Sequence, residues 1–188
     1  MNSFEFDICG IKRQLPYIDI SDKKAFASFV VLGDTELISA VSPLLAEKIG
    51  HVDVIMTAEA KGIALAYEVS RLMGLKEFIV ARKSIKSYMN DAVSVTVNSI
   101  TTSNEQKLYL DCLDAQKISG KNVCLIDDVI STGESLAGLE KLAVLAGANV
   151  VKRAAILAEG SAADRDDIIF LKKLPLFAKT SGGSYIPE

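Results

Sequence analysis

The sequence predicts an α/β fold in which a mostly parallel sheet is flanked by helices, with a small strand-rich unit at the N-terminus. Three observations predict it. Short aliphatic and β-branched runs, among them VDVIMT (52–57) and NVCLI (122–126), are apolar throughout, as strands covered on both faces must be. Between such runs the apolar residues recur every three or four positions, the spacing of a helix with one buried face. The length of 188 residues suits a single domain, 1–188. A chain of that size buries roughly 70% of the surface it exposes when unfolded.

The elements follow in order. Residues 1–33 carry the short runs FEFDI and AFASFVVLG, separated by Gly10 and Pro16, and read as a strand-rich N-terminal subdomain; residues 34–188 are the core. Asp34 is placed to cap a helix reaching about residue 49, and Pro43 is expected to kink or split it. A buried strand at 52–57 leads to a helix at 62–73, stopped by Gly74, which suits a left-handed position after a helix. Residues 77–81 form the next strand. The stretch 82–92 (RKSIKSYMNDA) is polar, basic and aperiodic, and 93–97 with 107–111 read as hairpin arms, so 82–107 is a flexible loop. After the strand at 122–126, a helix at 133–146 aligns Leu136, Leu139, Leu142, Ala143 and Ala146 on one face, and 150–157 is a further strand.

Composition excludes several function classes. Apolar residues make up 49% and charged residues 24%, with a net charge of −3, so no positive field for nucleic acid or anionic membranes is present. No apolar stretch approaches the ~18–20 residues of a membrane span, and the N-terminus lacks a signal-peptide pattern. The single histidine, His51, cannot build a two-histidine zinc site. Three scattered cysteines, Cys9, Cys112 and Cys124, fit reduced thiols and a cytoplasmic location.

The most informative segment is VCLIDDVISTGES, 123–135. An apolar strand ends in two carboxylates, Asp127 and Asp128, where open parallel sheets bind ligands. The turn Ser131, Thr132, Gly133, Glu134, Ser135 then opens a helix whose free N–H groups and dipole favour a phosphate. Thr132 and Ser135 add hydroxyl donors, and Gly133 lets the backbone approach the ligand. Two acids beside a phosphate cradle supply acceptors for ribose hydroxyls, so the segment suits a ribose 5-phosphate. The plainer reading, two acids at a strand end and a capping threonine, applies to each piece but does not account for the whole string. No GxxxxGK[ST] or GxGxxG is present.

This segment resembles the phosphoribosyl-pyrophosphate signature of the type I phosphoribosyltransferases, closest to the adenine-specific members among the purine enzymes. The resemblance extends to TAEAKG (57–62), similar to the loop that holds pyrophosphate, to ARKSIK (81–86), similar to the start of a mobile loop, and to residues 8–20 with GIKRQLP, similar to an N-terminal hood over the base. It implies the type I phosphoribosyltransferase fold and purine salvage: adenine attacks C1 of phosphoribosyl pyrophosphate, giving AMP and pyrophosphate. It further implies that Asp127 and Asp128 orient the ribose and offset charge in an oxocarbenium-like transition state. Ser131, Thr132, Gly133, Glu134 and Ser135 would bind the 5-phosphate. Glu59, Ala60, Lys61, Gly62, Arg82, Lys83 and Lys86 would bind the pyrophosphate. Lys61 at a helix start opposes the dipole, which favours a ligand role over a plain surface one. Mg2+ is implied, held mainly by substrate oxygens with no direct protein site; so is a homodimer.

Three features bear on the base. Ser131 stands where hypoxanthine-guanine enzymes of this family carry an acid, and Gly160 where xanthine enzymes carry a lysine after the strand-end glutamate. The hood stretch makes Ile11 and Arg13 base-binding candidates; Glu159 and Arg165, past another strand end, are candidates to face the base as well. Against adenine, NSITTSNEQK (98–107) lacks the usual loop glutamate, with Glu105 the acid at hand. The alternatives are therefore a xanthine, guanine or other base, and a non-catalytic sensor of phosphoribosyl pyrophosphate.

Overall fold

The computed structural model describes residues 3–97, 106–180 and 182–188. The chain begins with β1 (Ser3–Ile8), β2 (Ile11–Asp19) and β3 (Lys24–Ala27), then α1 (Thr35–Ile49), β4 (Val54–Ala58), α2 (Ile63–Leu72) and β5 (Phe78–Ala81). It continues with β6 (Val93–Val97), β7 (Gln106–Leu110), α3 (Cys112–Ile118), β8 (Asn122–Ile130), α4 (Glu134–Leu145) and β9 (Asn149–Glu159). A 3-10 turn (Gly160–Asp164) precedes β10 (Ile169–Leu174), β11 (Leu176–Lys179) and β12 (Tyr185–Pro187).

The central sheet has the order β10-β9-β8-β4-β5 and every neighbouring pair is parallel. Strand β8 explains its own apolar run. Cys124 and Ile126 join the cluster that contains α1 and α2 residues, while Val123 and Leu125 join the one that contains α4 residues. Alternate side chains on a strand point to opposite faces, and both faces here are covered. The expected α/β architecture is therefore present.

Three sequence expectations change in detail. The strand expected at 122–126 runs on to Ile130, so Asp127 and Asp128 lie within it, with Asp127 opposite Ala155 of β9. The helix around Pro43 stays one helix, Thr35–Ile49, with the Asp34 side chain accepting the Leu37 N–H at 3.1 Å. The hood expected over 1–33 draws on both ends of the chain: an antiparallel sheet of order β1-β2-β3-β11-β12. Leu176 pairs with Phe26, and Tyr17 stacks on Tyr185 at 4.1 Å. The C-terminal strands are short and polar-flanked, and only pairing with the N-terminal hairpin makes them strands. Helix α3 was absent from the sequence reading because seven residues are too few to show a period.

The expected hairpin is present as β6 paired antiparallel with β7, and it packs on α4. Gly138 permits this contact, since a Cβ there would lie 2.3 Å from Val97 Cγ2. Gly138→Val therefore overpacks the junction, a change that costs about 1–3 kcal/mol. For a chain of this size that is a fall in Tm of roughly 2–12 °C, to be read by calorimetry. The drop should shrink when Val97→Ala is made in the same chain.

Candidate active site

The carboxyl ends of β4, β8 and β9 meet at one edge of the central sheet and bring three loops together. A cavity of about 170 Å³ is lined by Glu59, Ala60, Lys61, Lys83, Asp127 and Ser135, with Val97, Gln106 and Leu108 of the hairpin as its wall. A pocket of about 90 Å³ beside it is lined by Ser131, Thr132, Gly133 and Ser135. Asp127, Val129 and Ser135 line both. The hairpin residues of the wall escaped the sequence reading, which showed the arms but not what they cover.

The two acids differ in environment. Asp128 is fully buried. Its Oδ1 lies 2.9 Å from Lys61 Nζ and accepts the Val129 N–H at 3.0 Å, while Oδ2 is buried without a hydrogen-bond partner among the described residues. Asp127 is half-buried, and its Oδ1 accepts the Asp128 N–H at 2.9 Å. Burial, then the neighbouring Asp128 charge, push the Asp127 carboxyl up to about 7. Removing solvent from a carboxyl that lies beside a second acid disfavours its charged form.

The loop 59–62 follows β4, and its Glu59–Ala60 peptide is cis. Gly62 is required by close approach: a Cβ there would lie 2.4 Å from Thr57 Oγ1 and 3.3 Å from Asp127 Oδ1. Glu59 ties this loop to the basic segment after β5. Its carboxylate accepts the Lys83 N–H at 2.8 Å, pairs with Arg82 Nε at 2.9 Å and has Lys86 Nζ at 4.0 Å. The Lys83 N–H, then Arg82 and Lys86, hold its carboxyl below the ordinary value. Thus the Arg82 and Lys86 side chains and the Lys83 backbone meet at Glu59, while Lys61 and Lys83 line the same cavity.

In the phosphate-sized pocket, Gly133 is left-handed at φ +83°, a conformation that favours glycine. Thr132 Oγ1 accepts the Glu134 N–H at 3.4 Å. A Cβ on Gly133 would lie 2.7 Å from Arg165 Nη1. Arg165 therefore stands against this loop rather than at the base side, where the sequence reading had it.

Glu159, at the end of β9, accepts the Ser131 hydroxyl at 2.7 Å, and burial raises its carboxyl above the ordinary range. The two loops are thereby joined across the sheet edge. Arg13 is elsewhere occupied. Its Nε and Nη2 hold Asp34 at 2.7 and 2.9 Å and Nη2 holds Glu36 at 2.7 Å, and it lines a separate groove with Phe29 and Asp34. Asp34 thus caps α1 and clamps β2 to it, and the base-binding expectation for Arg13 gives way to a structural one. Ile11 pairs with Ile8 at the β1–β2 turn and packs against the core, so it is not brought to the cavity either. Glu105 lies outside the described residues. Among the described residues no group of three or more His, Cys, Asp or Glu could hold a metal ion, and no helix is long and apolar enough to cross a membrane. The three cysteines are free, and burial pushes the Cys124 thiol up to about 12.

A parallel sheet whose strand ends carry two anion-sized loops around paired acids is the frame of an α/β protein that handles sugar phosphates. Comparison with known proteins makes the class specific. Residues 34–178 match the phosphoribosyl transferase domain family, and the chain belongs to that family. It is similar to a xanthine phosphoribosyltransferase of Brevibacillus brevis, at 28% identity over 73% of this chain and 74% of that one. It is also similar to a hypoxanthine/guanine phosphoribosyltransferase of Methanococcus voltae, at 30% identity over 71% and 68%. A purine biosynthesis transcriptional repressor of Bacillus subtilis matches at 30% over 64% of this chain, which spans 42% of the repressor. Among solved structures, an adenine phosphoribosyltransferase of Thermoanaerobacter pseudethanolicus has the same fold, with TM-score 0.65 and 22% identity over 77% of this chain and 84% of that one. The chain is thus built as a phosphoribosyltransferase enzyme, with the type I fold and a hood.

Two outcomes follow. Arg13→Ala should lower Tm, because it leaves the Asp34 cap and Glu36 without their shared cation, while the KM for the base stays at the parent value. For Asp127, the folded carboxyl near 7 lies above its ordinary 3.8. Below 3.8 both states hold the proton; as pH rises toward 7 the unfolded chain ionises first and stability falls. Asp127→Asn removes this loss, so melting curves of variant and parent should nearly coincide at pH 4, with the variant melting a few degrees higher at pH 8.

Proposed function

We propose that this chain transfers the phosphoribosyl group of phosphoribosyl pyrophosphate to a purine base, with residues 1–188 working as one unit. The observation that carries the reading is the Asp127–Asp128 pair, set between a left-handed phosphate-sized loop and a second loop ringed by cations. The C1–O bond to pyrophosphate breaks, a C1–N bond to the base forms, and the base gives up its ring N–H proton to the surrounding water. Ser131 to Ser135 hold the 5-phosphate, so that C1 lies over the acids. Asp127 and Asp128 accept ribose hydroxyls and offset positive charge on the sugar. Ala60, Lys61 and Gly62, with Arg82, Lys83 and Lys86, hold the departing pyrophosphate. Lys61, half exposed beside Asp128, and the cations on Glu59 are the groups placed to meet the new anion. Glu159 with Ser131 faces the base.

Magnesium, held mainly by substrate oxygens, fits this arrangement, with the Asp127 carboxylate of the cavity lining as the hard oxygen group beside it. When bound, the ion would neutralise part of the pyrophosphate charge. A homodimer and a cytoplasmic location, the latter in keeping with three free thiols, complete the reading.

For the base we read adenine, giving AMP, from Ser131 and Gly160. Xanthine or guanine is the rival, supported by the names of the curated relatives. A sensing role is supported by the likeness to the repressor. One assay separates them: purified protein with magnesium and phosphoribosyl pyrophosphate is offered adenine, hypoxanthine, guanine and xanthine, and nucleotide formation is followed by chromatography. AMP formation is the expected result, reduced about 10²–10³-fold in kcat by Asp128→Asn, as for loss of a well-placed electrostatic group. Turnover of another purine alone reassigns the base. Tight binding of phosphoribosyl pyrophosphate with no turnover of any base supports the sensor and sinks the transferase reading.

A further inference from the structure

We propose that Arg165 is the cationic member of the 5-phosphate site, reaching it from the turn after β9 rather than from the phosphate loop itself. The loop 131–135 is Ser-Thr-Gly-Glu-Ser and supplies hydroxyl and N–H donors, one carboxylate and no cation. From the loop itself, a phosphate dianion seated there would meet neutral donors and a helix dipole. The structure sets a guanidinium against this loop. Arg165 Nη1 occupies the side that Gly133 leaves bare, 2.7 Å from where a Cβ would be.

The guanidinium is aimed. Asp167 accepts from Arg165 Nε at 2.8 Å and from Nη2 at 2.7 Å, which uses one edge of the planar fork. Nη1 then points away from Asp167, with no hydrogen-bond partner among the described residues. Arginine held by one edge keeps donors for an oxyanion on another, the geometry in which it binds phosphate well. The left-handed Gly133 thus has two duties, opening the turn and admitting Nη1, and a side chain at 133 would block the second.

This inference rests on the phosphoribosyl reading of the site, and the test keeps the two apart. Ribose 5-phosphate and inorganic pyrophosphate are titrated separately by calorimetry into the parent, Arg165→Gln and Arg165→Lys. We expect Arg165→Gln to weaken ribose 5-phosphate by about tenfold or more, the scale of a hydrogen bond to a charged group, while pyrophosphate binds as in the parent. Arg165→Lys should recover part of the loss, since it restores charge without the fork. Unchanged ribose 5-phosphate affinity in Arg165→Gln would overturn the role of Arg165 and leave the phosphoribosyl reading standing. Equal weakening of both ligands would also overturn it, as a sign of general damage to the fold. A parent that fails to bind ribose 5-phosphate at all would overturn the phosphoribosyl reading and this inference with it.

Discussion

The ion pair between Lys61 and Asp128 is the contact on which the rest of the site depends. Asp128 is fully buried, and a carboxylate without water must have a cation or give up its charge. Lys61 supplies that cation from the first residues after β4, so the pair fastens one loop to the strand that carries the acids. Gly62 then fits against Thr57 and Asp127 because nothing larger could. Glu59, on the other side of Lys61, gathers Arg82, Lys83 and Lys86. A short segment after one strand thereby organises charge on both sides of itself. The pair is weak as a source of stability, since desolvation offsets most of its attraction, and strong as a device for register.

Much of the central sheet and the core of the site was legible in the sequence because buried strands and glycine turns leave strong local marks. The apolar run before Asp127, the Thr132-Gly133 turn and the amphipathic helix after it each obey a short-range rule. What the sequence hid was long-range. Strand β8 outlasts its apolar run because Asp127 to Ile130 pair with β9, and pairing partners have no local signature. Arg13 looked like a base-binding group on a hood strand; its commitment to Asp34 and Glu36 depends on how β2 crosses the start of α1. Arg165 lies 32 positions beyond Gly133 in the chain, and only the fold of the turn after β9 brings them together.

The alternation of β8 changes where its chemistry begins. Cys124 and Ile126 belong to one face of the sheet, yet Val129 packs on that same face and Ile130 on the other, which a regular period of two would not give. The irregularity coincides with two successive local bonds, the Asp128 N–H to Asp127 and the Val129 N–H to Asp128. The pairing with β9 nonetheless keeps one register from Cys124 to Ile130, and its shift lies earlier, between Val123 and Cys124.

The hood has a consequence for how the molecule comes into being. Its sheet joins β3 to β11, elements from opposite ends of the chain, and so the ordering cost of a very long loop must be met before that pairing is rewarded. While the polypeptide is being made, β3 has no strand on one of its sides until β11 emerges. An open strand edge is a template for pairing with another chain. The nascent protein is thus exposed to misassembly at its first hairpin, and the arrival of β11 and β12 closes that risk.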